Sequence, residues 1–194
     1  MAAIVLKILL GLIQIAPSWL KRYRYTETLQ KQAEASRRIT HAMNHFLLDH
    51  GGDRILLLRA NNGSGIPKYG RPHYVTLVDY ISRRQWTESS SAWQQVLLDN
   101  WYRSMLIELR AKGSLTYSVD QVDSGMLQRV YAKNGVQRIV FLHIVEMPKE
   151  YWFAVIHLCD GDEESDHDRI VQSLERSRNF LQGIVAKLLK QVTS

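Results

Sequence analysis

The sequence predicts an α+β fold, with a central antiparallel sheet of five or six strands flanked by helices and preceded by an N-terminal hydrophobic helix. Apolar residues recur at helical spacing over about 26–50 and again over about 165–192. Short β-branched and aromatic runs of strand length lie between these two segments. The 194 residues, 45% of them hydrophobic and 23% charged, have the composition of an ordinary globular protein that buries one core.

The first predicted element is an apolar helix at 2–20, whose nineteen residues are close to the lower limit for spanning the hydrocarbon of a membrane. Small and polar residues recur along it at spacings of four and three, which places them on one stripe of the helix. The stripe consists of Lys7, Gly11, Gln14, Ser18 and Lys21. Such a helix can lie on a membrane, span it with the stripe against another helix, or pack inside a protein assembly.

A basic cluster of Lys21, Arg22 and Arg24 follows the apolar run, and Trp19 stands at the boundary. A secretory signal carries its positive charge before the apolar region, so we expect no cleaved signal here. Basic residues beside an apolar anchor attract anionic lipid, and charge on this side predicts that the bulk of the chain lies on the cytoplasmic side. We therefore divide the chain into an anchor at 1–25 and a folded domain at 26–194.

The remaining elements follow the helix at 26–50, which ends at the glycine pair 51–52. In order, we expect a strand at 54–59, a loop at 61–65, a strand at 73–81, a helix at 93–110, a strand at 115–122, a short helix at 125–134, a hairpin of strands at 136–145 and 151–158, and a helix at 165–192. The second strand has Val75, Leu77, Asp79 and Ile81 in one phase. The first and last helices would pack on one face of the sheet and the middle helices on the other.

This order of elements resembles the GAF/PAS-like sensor fold, and the GAF variety in particular, over roughly 27–191. The stretches that carry the resemblance are RILLLRANNG at 54–63, GIPKYGRPHY at 65–74, VYAKNGVQRIVFLHI at 130–144 and YWFAVIHL at 151–158. The resemblance implies a small-molecule or protein-interaction module without catalysis, whose pocket lies between the sheet and the middle helices. The signature of cyclic-nucleotide-binding GAF domains is absent, and Cys159 lacks the following histidine typical of many bilin-attaching cysteines.

Candidate ligand-binding residues cluster after the first strand, where the loop at 61–65 would cross the mouth of such a pocket. Tyr117 would face the same side. His143 and His157 each lie in an apolar strand, where we expect a core histidine, and contact with a ligand is the alternative. The candidates are Asn61, Asn62, Tyr69, His73, Tyr74, Tyr117 and His143. We expect no cofactor.

Other patterns have simpler explanations than a reactive or metal site. His41, His45 and Asp49 repeat every four residues, but such a face is usually exposed or packed, so we expect no metal. The acidic run at 160–168 is typical of the start of a helix. A single cysteine excludes an internal disulfide, and no serine lies in a nucleophile-elbow context, so we expect no enzyme.

The sequence therefore predicts a non-catalytic, membrane-anchored GAF-like binding or interaction module that oligomerises or signals through partner chains. Anionic membrane lipids or helix–helix self-association would be its partners, with a homo-oligomer and further proteins expected. The net charge of +6 could also serve nucleic acid, but no recognition motif accompanies it, so we expect no such partner. The alternative is a structural or assembly component of a phage particle or similar multi-subunit complex, whose N-terminal helices pack in a ring. The protein would then be located in the virion or assembled particle.

Overall fold

The computed structural model describes residues 30–61, 74–85, 96–147, 150–159 and 164–193. The apolar segment at 2–20 and its basic cluster lie outside these ranges, as do three candidate ligand residues, Asn62, Tyr69 and His73. None of the helices within the described ranges combines the length and the apolar character that a membrane crossing requires.

The described elements alternate between helices and strands much as the sequence predicts. They are α1 at 30–50, β1 Arg54–Asn61, β2 Tyr74–Ser82, β3 Val96–Leu97, α2 Asn100–Lys112, β4 Ser114–Ser118, a 3₁₀ turn Val119–Gln121, α3 Gly125–Lys133, β5 Val136–Met147, β6 Glu150–Cys159 and α4 Glu164–Thr193. The six strands form one sheet in the order β3-β2-β1-β6-β5-β4, and every neighbouring pair is antiparallel. The predicted antiparallel sheet of five or six strands is confirmed.

Strand β1 lies at the centre of the sheet, between β2 and β6. Ile55 pairs with Ile81 on one side and with Ile156 on the other. Helices cover both faces of the sheet at β1, so β1 does not alternate polar and apolar residues as a half-exposed strand does. This is why the run from Arg54 to Leu58 is apolar apart from its first residue.

Helices α1 and α4 pack together on one face of the sheet, as predicted. Their buried stripes meet every second residue of β1, β5 and β6, with Phe46, Ile55, Leu142, Leu174 and Leu181 among the fully buried members. His50 at the end of α1 reaches α4, where its Nδ1 lies 3.1 Å from Ser173 Oγ. The first and last described helices are therefore joined by packing and by a polar contact.

The glycine pair after α1 allows this helix to enter β1 directly. Gly52 has φ +102°, a conformation that side chains rarely adopt. A Cβ added there would lie 2.9 Å from Ile156 Cγ2, so any side chain at this position would have to displace Ile156 of β6. The predicted helix end is confirmed, and the close approach explains why a glycine stands there.

Helices α2 and α3 cover the opposite face. Tyr102 and Leu109 of α2 and Tyr131 of α3 are fully buried against the alternate residues of the same central strands, including Phe141 and Phe153. The sheet therefore separates two apolar cores, each closed by its own pair of helices. The functional site described below belongs to the core beneath α2 and α3.

The predicted helix at 93–110 is wrong in its first part. Val96 and Leu97 form β3, which pairs with Val75 and Tyr74 at the edge of the sheet, and α2 begins only at Asn100. Asp99 precedes α2 and its Oδ1 accepts a hydrogen bond from the Tyr102 N–H at 2.9 Å. This N-terminal cap stops the helix from extending towards Val96.

Two strands also depart from the predicted pattern. The pairing of β1 with β2 passes from Leu57–Asp79 to Leu58–Leu77, so Val78 is an extra residue, a β-bulge. Leu77 therefore faces α2 and α3 while Ile81 faces α1 and α4, and the single phase predicted for β2 is wrong. The strand predicted at 115–122 ends at Ser118, whose N–H donates to Gln121 Oε1 at 3.0 Å in the following 3₁₀ turn.

Candidate ligand cavity

Aromatic side chains line the sheet beneath α2. The Tyr102 ring lies edge-on to Phe141 and tilted to Phe153, with centroids 6.2 Å away in both cases. The Trp101 ring contacts the Tyr102 and Tyr117 rings at 6.0 and 5.5 Å. These rings form a rigid layer between α2 and the sheet, because aromatic side chains have few rotatable bonds and pack in defined edge-to-face geometries.

A cavity of about 150 Å³ opens where the sheet edge meets the starts of α2 and α3. Apolar side chains form most of its wall, and three polar residues interrupt them. The lining residues are Val75, Val96, Leu97, Leu98, Asp99, Tyr102, Ser124 and Leu127. We call this space the inner cavity.

Tyr102 contributes the most unusual polar group of the inner cavity. The residue is 0% exposed, and its hydroxyl has no hydrogen-bond partner among the described residues. Burial, with smaller contributions from Tyr131 and Asp99, raises the pKa of Tyr102 well above its ordinary value, so the group stays an O–H donor. A buried hydroxyl without a partner costs about 1–3 kcal/mol, and such exceptions in proteins need an explanation.

Two further polar residues border the inner cavity. Asp99 is exposed, and one of its carboxylate oxygens caps α2. Ser124 is buried at the position before α3, where its carbonyl accepts the Gln128 N–H at 2.8 Å but its side chain makes no capping bond. Both helix starts therefore bring polar atoms to one otherwise apolar space.

A second, more open space of about 390 Å³ adjoins the inner cavity at Asp99. Asp99, Asn100, Trp101, Ser104 and Asp123 line it. We call this space the outer cleft. It contains two carboxylates and an indole, and none of its lining residues is basic.

The structure places four of the predicted site residues. Asn61 pairs with Tyr74 at one end of the β1–β2 ladder, and residues 62–73 between them lie outside the described ranges. Tyr117 lies on the α2 side of β4, and its hydroxyl donates to Glu108 Oε2 at 3.3 Å. His143 of β5 has its Nδ1 3.1 Å from the Tyr151 hydroxyl. None of the four lines the inner cavity or the outer cleft, and their contact with a ligand stays a prediction.

Burial affects the titration of these side chains and of their neighbours. It is the main reason why the pKa of Tyr117 is raised and that of His143 is lowered. It also raises the pKa of Tyr151, the partner of His143. At neutral pH Tyr117 and Tyr151 therefore carry neutral hydroxyl groups and His143 a neutral imidazole.

The residues that line the inner cavity were not among the predicted ones. Tyr102 and Leu127 look like ordinary members of helical stripes, and only folding brings them to β2 and β3. The start of α2 offered one usable signal, because an aspartate directly before an apolar helical stripe is a typical N-terminal cap. Had the helix been placed there, Tyr102 would have been the first buried residue of α2.

The histidine pair of α1 lies on an exposed face. The rings of His41 and His45 have centroids 4.4 Å apart, and both residues are exposed. Within the described ranges no group of three or more histidine, cysteine, aspartate or glutamate residues could hold a metal ion.

Known structures share this arrangement of sheet and helices. A far-red cyanobacteriochrome photoreceptor matches 88% of this chain over 98% of its own length, at 12% identity and a TM-score of 0.53. The phycoerythrobilin-bound GAF domain from a cyanobacterial phytochrome matches 86% of this chain over 96% of its own, at 12% identity and a TM-score of 0.50. The GAF domain of a two-component sensor histidine kinase from Bacillus halodurans covers 79% of this chain and 95% of its own length, at 12% identity and a TM-score of 0.48.

No protein-family model and no curated protein sequence matches the chain. The structural matches nevertheless define its fold. The chain has an α+β fold similar to that of GAF domains, as the resemblance predicted.

Proposed function

We propose that this protein is a non-catalytic, membrane-anchored sensor whose GAF-like domain binds a small molecule in the inner cavity and acts by oligomerising or through partner chains. The observation that carries the proposal is Tyr102, which lines a largely apolar cavity and whose buried hydroxyl lacks a partner in the described ranges. Ligand sites in proteins combine an apolar wall with a few placed polar groups in this way.

The size of the inner cavity limits the ligand. An apolar cavity of about 150 Å³ accommodates a molecule of the size of benzene, and the inner cavity has the same volume. The outer cleft provides additional room for a short substituent. We therefore expect a ligand with one small ring or a branched aliphatic group.

The position of the inner cavity suggests how binding would reach the rest of the domain. Its wall combines β2, β3 and the starts of α2 and α3, so one ligand contacts four separate elements. A ligand that binds only the folded arrangement stabilises it. For the partner surface, α1 and α4 supply candidates, since Leu48 and Phe180 are large apolar residues that are each 58% exposed.

The test uses the full chain in lipid nanodiscs and the neutral probe tyrosol, a phenol with a short alcohol side chain. Tyrosol should raise the melting temperature, and at about 100 times its dissociation constant it adds about 2.7 kcal/mol to the free energy of unfolding. Leu127→Phe fills the inner cavity and should remove this stabilisation. Ile107→Phe, on the exposed face of α2 where Ile107 is 62% exposed, is the matched control and should keep it.

Tyr102→Phe separates a binding role from a structural one. The variant loses the hydroxyl but keeps the ring, so the ligand-free protein should gain about 1 kcal/mol of stability, and tyrosol should bind more weakly. A merely structural hydroxyl would lower the stability when removed. The proposal fails if tyrosol stabilises neither the wild type nor Ile107→Phe, or if Leu127→Phe responds as the wild type does.

A further inference from the structure

We propose that the natural ligand is a small organic cation, an arylalkylamine whose ring fills the inner cavity and whose ammonium group lies in the outer cleft between Asp99 and Asp123. This inference rests on the proposed function and names the ligand class of the same site. It follows from the geometry shared by the two spaces, the charges around the outer cleft and the hydroxyl at the inner end.

The inner cavity and the outer cleft meet at Asp99, which lines both. The inner space is largely apolar, whereas the outer space has polar residues and the more open mouth. A molecule that occupies both must have an apolar end and a charged or polar end. Arylalkylamines have this division, with two or three atoms between the ring and the nitrogen.

The charges favour a cation at the outer end. Within the described ranges, neither Asp99 nor Asp123 forms an ion pair. Arg103 is a nearby base, but its Nε donates to the backbone oxygen of Asp99 at 3.3 Å and its Nη2 to the side chain of Asn100. The Arg103 guanidinium keeps its charge, but the two carboxylates outnumber it, and the excess negative charge attracts an ammonium and repels a carboxylate or phosphate.

Trp101 adds a second feature that suits a cation. Trp101 lines the outer cleft together with Asp99 and Asp123. Cations bind over the face of an indole within about 6 Å, and this contact strengthens when water is excluded. Proteins commonly bind amines by placing the ammonium group between carboxylates and an aromatic ring. A neutral alcohol would gain little from the carboxylates or from the indole.

The Tyr102 hydroxyl carries the independent argument that a ligand binds here at all. Tyr102 lines the inner cavity, and its hydroxyl is fully buried and has no partner in the described part of the chain. A ring that bears a hydroxyl would give this group the missing hydrogen bond, while the ammonium at its other end reaches the outer cleft. A para-substituted phenol with an aminoethyl side chain has both groups at opposite ends.

A metal ion is a poorer occupant for the same place. Two carboxylates make an incomplete ligand set, since calcium takes six to eight oxygens and magnesium six. No group of three metal-ligating side chains occurs within the described ranges. The apolar wall of the inner cavity would also play no part in binding a bare ion.

The test compares three probes that differ only in the charge at one end: tyramine, tyrosol and para-hydroxyphenylacetate. Binding to the full chain in nanodiscs is measured by calorimetry, with empty nanodiscs as the blank. Tyramine should bind about tenfold more tightly than tyrosol, and para-hydroxyphenylacetate more weakly than either. Added salt should weaken the binding of tyramine and leave that of tyrosol unchanged.

Charge-neutral variants locate the ammonium. Asp123→Asn and Asp99→Asn should each weaken tyramine binding about three- to fivefold and leave tyrosol binding unchanged. Asn also caps helices, so Asp99→Asn keeps the start of α2. Asp120→Asn is the control, because Asp120 is an exposed acid of the neighbouring 3₁₀ turn that lines neither space.

The outcomes separate this inference from the proposed function. If tyrosol or para-hydroxyphenylacetate binds as tightly as tyramine and Leu127→Phe abolishes that binding, the cation is wrong and the ligand-binding cavity stands. If Asp123→Asn and Asp99→Asn leave tyramine binding unchanged, the location of the ammonium is wrong. If none of the three probes binds the full chain, both proposals fall.

Discussion

His157 is a buried histidine at the centre of the sheet. It lies in β6 opposite Arg54 and is 0% exposed, and its ring meets that of Tyr131 from α3 at 5.1 Å. Burial, assisted by the positive charge of Arg54, lowers the pKa of His157 to about 3. The sequence places this residue in an apolar strand, and the structure shows it as the core residue that we expected.

This shifted pKa predicts how stability depends on pH. An unfolded chain binds a proton on histidine near pH 6.5, and the folded His157 only near pH 3. Protons therefore favour the unfolded chain between these values, and the stabilisation present at neutral pH is lost as the pH falls through this window. His157→Leu should remove about 3 kcal/mol of the decrease in unfolding free energy between about pH 7 and 4.

Urea unfolding at a series of pH values measures this effect as the difference between the wild type and His157→Leu. The difference cancels the titration of the carboxylates that both proteins share. His41→Gln, which removes an exposed histidine of α1, is the control variant. If the unfolding free energies of the wild type and of His157→Leu change in parallel with pH, the lowered pKa of His157 is contradicted.

At the scale of single elements, α2 shows how local signals define a helix and a site together. Asp99 caps its first turn, and at the other end the Gly113 N–H donates to the Leu109 carbonyl at 2.7 Å in a left-handed conformation. Arg110 and Lys112 occupy the last turn, where the helix dipole stabilises cations. The same start of the helix brings Tyr102 to the inner cavity.

The cap predicts a difference between two substitutions at one position. Asp99→Ala removes the acceptor of the Tyr102 N–H and should lower the unfolding free energy by about 1 kcal/mol. Asp99→Asn keeps an acceptor and should lower the unfolding free energy by no more than a few tenths of a kcal/mol. Chemical denaturation without ligand measures both, and equal losses for the two variants would show that the carboxylate acts by its charge rather than as a cap.

At the scale of the whole molecule, the proposed tether combines the apolar segment at 2–20 with a folded domain that closes two cores. The support for the tether is the sequence alone: an apolar run of nineteen residues with a basic cluster directly after it. Each basic residue near an anionic surface contributes about 1 kcal/mol of attraction. The anchor and the charge should therefore act together.

The full chain should stay in the membrane fraction during carbonate extraction, and deletion of 2–20 should release the protein from that fraction. The triple variant Lys21→Gln, Arg22→Gln, Arg24→Gln should keep the anchor but bind vesicles containing phosphatidylserine less tightly than the wild type, with no difference on phosphatidylcholine alone. Retention that survives the deletion would refute the tether. A full chain that needs no detergent and sediments as a stoichiometric particle would instead favour the assembly component.

The parts of the fold that could be predicted are those that repeat along the chain. The stripes of α1 and α4, the run of β1 and the β5–β6 hairpin follow from spacing alone. Their arrangement in two layers of helices about one sheet follows because each apolar face must be covered. The bulge at Val78 could not be predicted, since one extra residue in a strand leaves the local pattern almost unchanged.

The candidate site was harder to predict for a different reason. The wall of the inner cavity comes from β2, β3, α2 and α3, so no local motif contains it. The predicted residues clustered instead after β1, where a glycine-rich loop is visible in the sequence. A buried hydroxyl without a partner, such as that of Tyr102, is recognisable only once the neighbours of the side chain are known.

The pairing of α1 with α4 has a consequence for synthesis on the ribosome. These helices share one core, yet more than a hundred residues of chain separate them. The surface of α1 that Leu174 and Leu181 cover stays exposed until the last helix has emerged. The nascent chain therefore completes this half of the domain only after α4 has emerged from the ribosome, and until then the exposed apolar surface of α1 can bind chaperones.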